Sequence, residues 1–309
     1  MEACYVVVNP NSGRRKGEKD WNLINQCFKQ ADLSFEHAFT TGPGHANELT
    51  IQAIKKGYKT IVVAGGDGTL NEAINGILNQ SEIPSDQIKI GMIPVGTGND
   101  WGRMYSIPTD YQQAIDLIKK GNTFVQDAGR VEYHSKDGLE SRYFVNMAGM
   151  GYDALVAKKT NLMKAKGGGG SFAYLINLFL GLIQYKFTAL ELKIDGLEKF
   201  SGKIFSMSVG ICKYNGGGMM QLPFAQPDNG EFDVTLIKKA NKLKVITNIK
   251  NLYDGSFVKI PEVETFTGKE IELISKPKHS IYLEADGESL GFSPLKFKIL
   301  PKRIRLICG

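Results

Sequence analysis

Three times within the first hundred residues, a short run of β-branched and apolar residues stops at a cluster of turn formers. Cys4–Val8 runs into Asn9-Pro10-Asn11-Ser12-Gly13, and Thr60–Ala64 into Gly65-Gly66-Asp67-Gly68. Ile88–Ile93 runs into Pro94-Val95-Gly96-Thr97-Gly98-Asn99-Asp100. Helical spacing separates the runs: Ala46, Leu49, Ala53 and Ile54 mark a helix over 44–56, and Leu70, Ala73, Ile74, Ile77 and Leu78 mark another. Tyr111–Lys120 reads as the next helix. Strands that alternate with helices pair in parallel, because a helical crossover returns the chain to the same end of the sheet. The expectation is an α/β domain with a parallel sheet covered on both faces. Such sheets bind ligands in the loops beyond the carboxyl ends of their strands, where all three clusters fall.

After about residue 122 the rhythm changes. Phe124–Tyr133, Arg142–Met147, Thr188–Ile194, Lys203–Ile211, Phe232–Ile237, Ile271–Ile274 and Ile281–Glu284 read as strands with few helices between them. That pattern predicts a β-rich antiparallel sandwich or partial barrel. The expected division is an α/β nucleotide-binding domain of 1–123 plus 297–309, to which the last strand returns, and a sandwich of 124–296.

Composition narrows the partners. Thirty-eight Lys plus Arg against 32 Asp plus Glu leaves a net charge of +6, too slight for a nucleic-acid binder and suited to small anions or a negative membrane face. Cys4, Cys27, Cys212 and Cys308 show no CxxC spacing, which predicts free thiols in a reducing cytosol. The longest near-apolar stretch, Phe172–Ile183, is interrupted by Asn177 and falls short of the roughly twenty residues that span a bilayer.

Glycines let backbone approach a phosphate, and free N–H groups at a helix start favour an anion. Asp67 does not attract phosphate; it suggests a bridging Mg²⁺ or a hydroxyl contact. Arg14, Arg15 and Lys16 place positive charge behind the first cluster. Neither the GxxxxGK[ST] loop nor the GxGxxG fingerprint is present. Each cluster alone reads as a capped turn, but three on one sheet edge predict a nucleotide site.

Taken in order, Asn-Pro-Asn-Ser-Gly, Gly-Gly-Asp-Gly-Thr-Leu-Asn-Glu and Pro-Val-Gly-Thr-Gly-Asn-Asp resemble the diacylglycerol kinase catalytic-domain family, which includes bacterial soluble lipid kinases and sphingosine kinases. The likeness continues at Asn146–Asp153, Pro227–Asp233 and Ala285-Asp286-Gly287-Glu288. It implies a nucleotide domain like that of NAD kinases and phosphofructokinases. It also implies ATP and Mg²⁺ as cofactors, and phosphorylation of a lipid hydroxyl, with diacylglycerol going to phosphatidic acid. The nucleotide loops carry over to Asn9, Pro10, Asn11, Ser12, Gly13, Thr40, Gly66, Asp67, Gly68, Thr69, Leu70, Asn71, Glu72 and Thr97. The resemblance places the catalytic base at Glu288, with Asp286 as the alternative base or magnesium-linked partner; Asp-Gly between strands is otherwise an ordinary hairpin turn. A structural metal of the family maps to Gln226, Asn229 and Glu231. There Asn229 stands in place of a carboxylate and removes one negative charge from a hard-cation site, so a plain turn is the other reading.

On the lipid side, Leu155, Val156, Leu162, Met163, Phe172, Leu175, Phe179 and Leu182 read as acyl-pocket or core residues, and Lys158, Lys159, Lys164 and Lys166 as headgroup contacts or a solvated loop. Trp101 reads as a pocket wall or a packed core residue. The resulting expectation is a cytoplasmic kinase that meets its lipid transiently at a membrane surface, with a homodimer left open. An NAD kinase-like phosphotransferase and a nucleotide- or lipid-binding protein without turnover are the rival readings.

Overall fold

The computed structural model describes residues 3–96, 98–156, 159, 181–182 and 185–309, the side chains at 243 and 246 excepted. The first lobe opens with β1 (Cys4–Val8), α1 (Ser12–Lys19), α2 (Trp21–Gln30), β2 (Phe35–Phe39) and α3 (His45–Lys55). It continues with β3 (Thr60–Gly65), α4 (Asp67–Asn79), β4 (Lys89–Pro94), α5 (Asp100–Met104) and α6 (Tyr111–Lys120). β1 pairs in parallel with β2 and β3, and β3 with β4. β1 and β3 are buried along their whole length, as strands covered on both faces must be. α3 and α4 pack on one side through Leu49, Ala53, Leu70 and Ile74. On the other side α2 and α6 pack through Ile24, Phe28, Ile115 and Ile118.

The second lobe is antiparallel. It comprises β5 (Thr123–His134), β6 (Leu139–Phe144), β7 (Met147–Gly151), β8 (Thr188–Ile194), β9 (Leu197–Gly210) and a small hairpin of β10 (Tyr214–Asn215) and β11 (Met219–Met220). β12 (Phe232–Lys238) follows, then the short helices α7 (Lys242–Thr247) and α8 (Asn251–Asp254). The chain closes with β13 (Val263–Gly268), β14 (Glu270–Lys276), β15 (Tyr282–Ala285) and β16 (Glu288–Ile307). The predicted single strand Arg142–Met147 is instead the end of β6 and the start of β7, because Val145, Asn146 and Met147 give their N–H groups to the Asp286 carboxylate. Between β12 and β13 the chain forms the two short helices α7 and α8. Phe144, Phe232 and Phe297 form the aromatic centre of the sandwich, and Gly129 makes room for the Phe144 ring, which would lie 2.4 Å from a Cβ at that position.

β16 joins the lobes. Its 20 residues pair antiparallel with β5, β14 and β15, and at Arg305–Leu306 it pairs in parallel with Lys89–Ile90 of β4. One apolar core therefore runs from Ile61 and Ile74 through Leu306 to Phe232. A strand shared by both lobes fixes their relative position, and that position builds the site. No helix among the described residues is long and apolar enough to cross a membrane.

Candidate functional site

The three turn clusters meet at one rim. Asn9 donates from Nδ2 to Thr69 Oγ1 at 2.8 Å, tying the first loop to α4. Gly13 (φ 60°) lies so close to the third loop that a Cβ there would be 2.2 Å from the Val95 carbonyl oxygen. A Cβ on Gly96 would be 2.7 Å from Gly66 Cα, so the second and third loops touch backbone to backbone. Glycine is required at this approach because any side chain would separate the loops. Arg14 and Arg15 follow Gly13 in the left-handed region, at φ 61° and 68°. L-residues pay roughly 1–2 kcal/mol each for that conformation, strain of a kind that gathers at functional loops. Thr40 stands at the same rim, its N–H donating to Val8 O at 2.8 Å. Thr97 lies outside the described residues.

Asp67 joins two loops by accepting from the N–H groups of Asp100 (2.9 Å) and Trp101 (3.3 Å). Burial pushes its carboxyl up to about 6, with the Asp100 and Asp286 charges adding to the effect and the two N–H donors opposing it. A buried carboxylate in that condition gains from a nearby cation. Trp101 is a packed core residue, its indole N–H donating to Gln126 Oε1 at 3.0 Å.

Further along α4 the side chains serve the protein itself. Leu70 is buried in the core. Asn71 gives its amide hydrogens to Tyr143 O and Asp286 Oδ2, and its oxygen accepts from Arg142 and Asn75. Glu72 accepts the N–H groups of Gly44 (2.8 Å) and Ala46 (3.1 Å), capping α3. At these three positions the side chains form a core residue, an interlobe bond and a helix cap. Gly66–Thr69 and the first loop are left lining the rim.

Asp286 and Gly287 occupy the left-handed region (φ 48° and 84°) as the two-residue turn between β15 and β16. That turn sends the two acidic side chains in different directions. Asp286 is buried and accepts four N–H groups: Val145 at 2.9 Å, Asn146 at 3.0 Å, Met147 at 3.1 Å and Asn71 Nδ2 at 2.8 Å. Burial raises its pKa and the donors pull it back. Each of its two oxygens accepts two N–H groups, which makes Asp286 an anchor between the lobes. Glu288 is exposed and reaches across the lobes, its Oε1 lying 2.9 Å from where a Cβ on Gly68 would be. An exposed carboxylate thus faces the first turn of α4.

The second lobe adds a loop that sequence reasoning missed. Gly216, Gly217 and Gly218 are all left-handed (φ 62°, 88° and 98°), and the last two donate to the buried Asp100 carboxylate at 2.7 Å each. The run of three glycines is visible in the sequence, but not what it docks against. Glu284 was missed as well. It accepts from Gly287 N–H (3.0 Å) and Asn215 Nδ2 (3.2 Å), and burial with the Asp153 charge pushes it up to about 8. Asp153 itself is pushed up to about 6 by burial, against Ser206 and Ser208.

Because Glu284 binds a proton more tightly folded than unfolded, its contribution to stability is full below about 4.5 and is lost as pH rises toward 8. Glu284→Gln, which is neutral throughout, is expected to raise the melting temperature at pH 8 by about 2–5 °C and to change it little at pH 5. Differential scanning calorimetry at the two pH values checks this, and an equal shift at both would contradict it.

The mapped structural-metal segment is closed as a turn. Asn229 Oδ1 accepts the Glu231 N–H at 3.0 Å, Gly230 donates to the buried Asp127 at 2.7 Å, and the Gln226 N–H faces Asp233. No group of three or more His, Cys, Asp or Glu side chains able to hold a metal ion occurs among the described residues. The family's metal would take backbone carbonyls at Gln226 and Glu231 beside the side chain at 229, and here that side chain is a neutral amide already bonded to the Glu231 N–H. Of the acyl-pocket positions, Leu182 is buried, Leu155 and Val156 are half-buried, and Leu162, Met163, Phe172, Leu175 and Phe179 lie outside the described residues, as do Lys158, Lys164 and Lys166.

Comparison with known proteins converges on one family. Residues 3–131 match the diacylglycerol kinase catalytic domain, and residues 146–308 match the YegS C-terminal NAD kinase beta sandwich-like domain. A diacylglycerol kinase of Staphylococcus carnosus is 32% identical over 302 residues, covering 97% of this chain and 93% of its own. One of Staphylococcus haemolyticus is 32% identical over 308 residues, covering 99% and 88%. Among solved structures, a diacylglycerol kinase from Bacillus anthracis superposes with a TM-score of 0.72 at 20% identity, covering 100% of this chain and 97% of its own. An NAD kinase from Archaeoglobus fulgidus, solved with ATP, gives 0.51 at 14% identity over 98% and 93% of the two chains, a likeness of fold alone.

Proposed function

Because the chain belongs to the diacylglycerol kinase family and is a lipid kinase, we propose that it transfers the γ-phosphoryl group of Mg-ATP to the free hydroxyl of diacylglycerol, giving phosphatidic acid. The observation that carries this reading is the placement of Glu288, an exposed carboxylate from one lobe lying over Gly68 of the other. Phosphoryl transfer asks the protein for position, for stabilisation of charge on the transferred group and for a base at the attacking hydroxyl. The glycine loops and the first N–H groups of α4 supply the first two, and Glu288 the third. The acceptor oxygen bonds to the γ-phosphorus, the bond to the β–γ bridging oxygen breaks, and the hydroxyl proton passes to Glu288.

Magnesium fits this site as a passenger on the phosphates, which is how kinases commonly carry it, with Asp67 the buried carboxylate that would gain from it. When bound, the ion would neutralise charge building on the transferred group. Asp67 holds the second and third loops together whether or not it touches the ion.

The test is transfer of label from γ-labelled ATP to extracted total lipid, with NAD as a parallel acceptor. Labelled phosphatidic acid is the expected product. Label on NAD, or ATP binding without transfer to any lipid, would overturn the reading.

The geometry also sets a test of the loop itself. An alanine at Gly68 would place its Cβ 2.9 Å from Glu288 Oε1, so the flexible carboxylate must move aside. Gly68→Ala is expected to lower kcat by about tenfold or more through this misplacement, with an unchanged or slightly higher melting temperature, since alanine favours helix. A variant as active as the parent would show that Glu288 does not work from this position.

A further inference from the structure

We propose that Phe224, Ile249 and Tyr253 form a face that enters the headgroup layer of an anionic bilayer and seats the site on its lipid substrate. The inference rests on the lipid-kinase reading and adds to it the surface by which the enzyme meets its substrate. Phe224 is 61% exposed, Tyr253 55% and Ile249 44%, three of the nine large apolar side chains exposed among the described residues.

The three side chains belong to one region. A turn of helix runs from Asn248 through α8, with Leu252 N–H donating to Ile249 O and Tyr253 N–H to Lys250 O, so Ile249 and Tyr253 share a face four residues apart. Gly255, which ends α8 at φ 74°, abuts the segment carrying Phe224: a Cβ there would lie 2.8 Å from Pro223 Cβ. Phe224 is held outward between Leu222 and Ala225, both buried against Met147. Its exposure is imposed by packing on either side.

The same packing ties the face to the chemistry. Met147 donates to Asp286, and β11, next to Pro223, continues from the glycine loop that docks on Asp100. The occupant follows from charge. Residues 238–259 hold six lysines and one acid, Asp254. Two of the lysines, Lys238 and Lys244, pair with Glu264 and Glu262, which leaves a positive surplus that includes the exposed Lys250 and Lys259. A second copy of the chain meeting this face about a two-fold axis would set lysines against lysines. An anionic bilayer complements both the charge and the apolar side chains, and aromatic residues favour the depth where tails meet headgroups.

The experiment is co-sedimentation of the full chain with vesicles of phosphatidylglycerol and phosphatidylcholine, beside turnover on a short-chain, water-soluble diacylglycerol. F224S/Y253S is expected to bind vesicles about tenfold or more weakly, and K250E/K259E to lose a similar factor at low salt. Both should keep parental turnover on the soluble substrate. Vesicle binding by F224S/Y253S equal to the parent would overturn the proposal, as would a parental dimer that this substitution dissociates without weakening vesicle binding. If the parent binds vesicles through this face yet phosphorylates no diacylglycerol, the docking surface stands and the substrate assignment falls.

Discussion

Replacing Glu288 by glutamine is expected to lower the rate of transfer by about 10²–10⁴-fold while leaving the melting temperature and ATP affinity near those of the parent. The amide keeps the shape of the side chain but does not take up the hydroxyl proton. Stability is spared because Glu288 is exposed, its Oε1 lying beside Gly68. Single-turnover kinetics with labelled ATP reads the chemical step directly. Turnover within about tenfold of the parent would place the base elsewhere, because a general base is worth more than that.

The opposite outcome is expected two residues earlier. Asp286→Ala removes a buried carboxylate that accepts four N–H groups and strands those donors in the interior. Breaking a buried charged network of this kind costs about 3–5 kcal/mol, which corresponds to a fall in melting temperature of roughly 5–10 °C. Activity should fall with it, since Asp286 joins Asn71 on α4 to the Val145–Met147 segment. Denaturant titration gives the free-energy change. A variant of parental stability that had lost transfer alone would assign the chemistry to Asp286 and not to Glu288. Two acidic residues of one Asp-Gly-Glu motif are thus expected to fail in different ways, one by losing the proton acceptor and the other by losing the joint between lobes.

Much of the architecture was legible because it follows from local rules. β-branched runs ending in glycine clusters dictate strand, turn and helix within a few residues, and the parallel pairing follows from the helical crossovers. The change to an antiparallel second lobe shows in strands that succeed one another with few helices between. The resemblance to the kinase family rests on the same short stretches. Less legible was the division of labour among polar residues inside a motif. Gly-Gly-Asp-Gly-Thr-Leu-Asn-Glu reads as one ligand loop, yet Leu70 belongs to the core, Asn71 to an interlobe bond and Glu72 to the cap of α3. Each partner lies on an element that the motif does not contain.

Sequence by itself determined the strands, the glycine turns and their common edge, since these depend on backbone sterics and hydrophobic periodicity over neighbouring residues. Only the tertiary structure decided which carboxylate is exposed and which is buried. Asn71 and Asp286 are 215 positions apart, and the bond between them exists because β16 carries the second lobe back onto the first sheet. The same fold turns Glu288 over Gly68 and docks Gly217 and Gly218 on Asp100. Whether a carboxylate is buried among N–H donors or left open to a substrate depends on what distant chain surrounds it, and no local pattern records that.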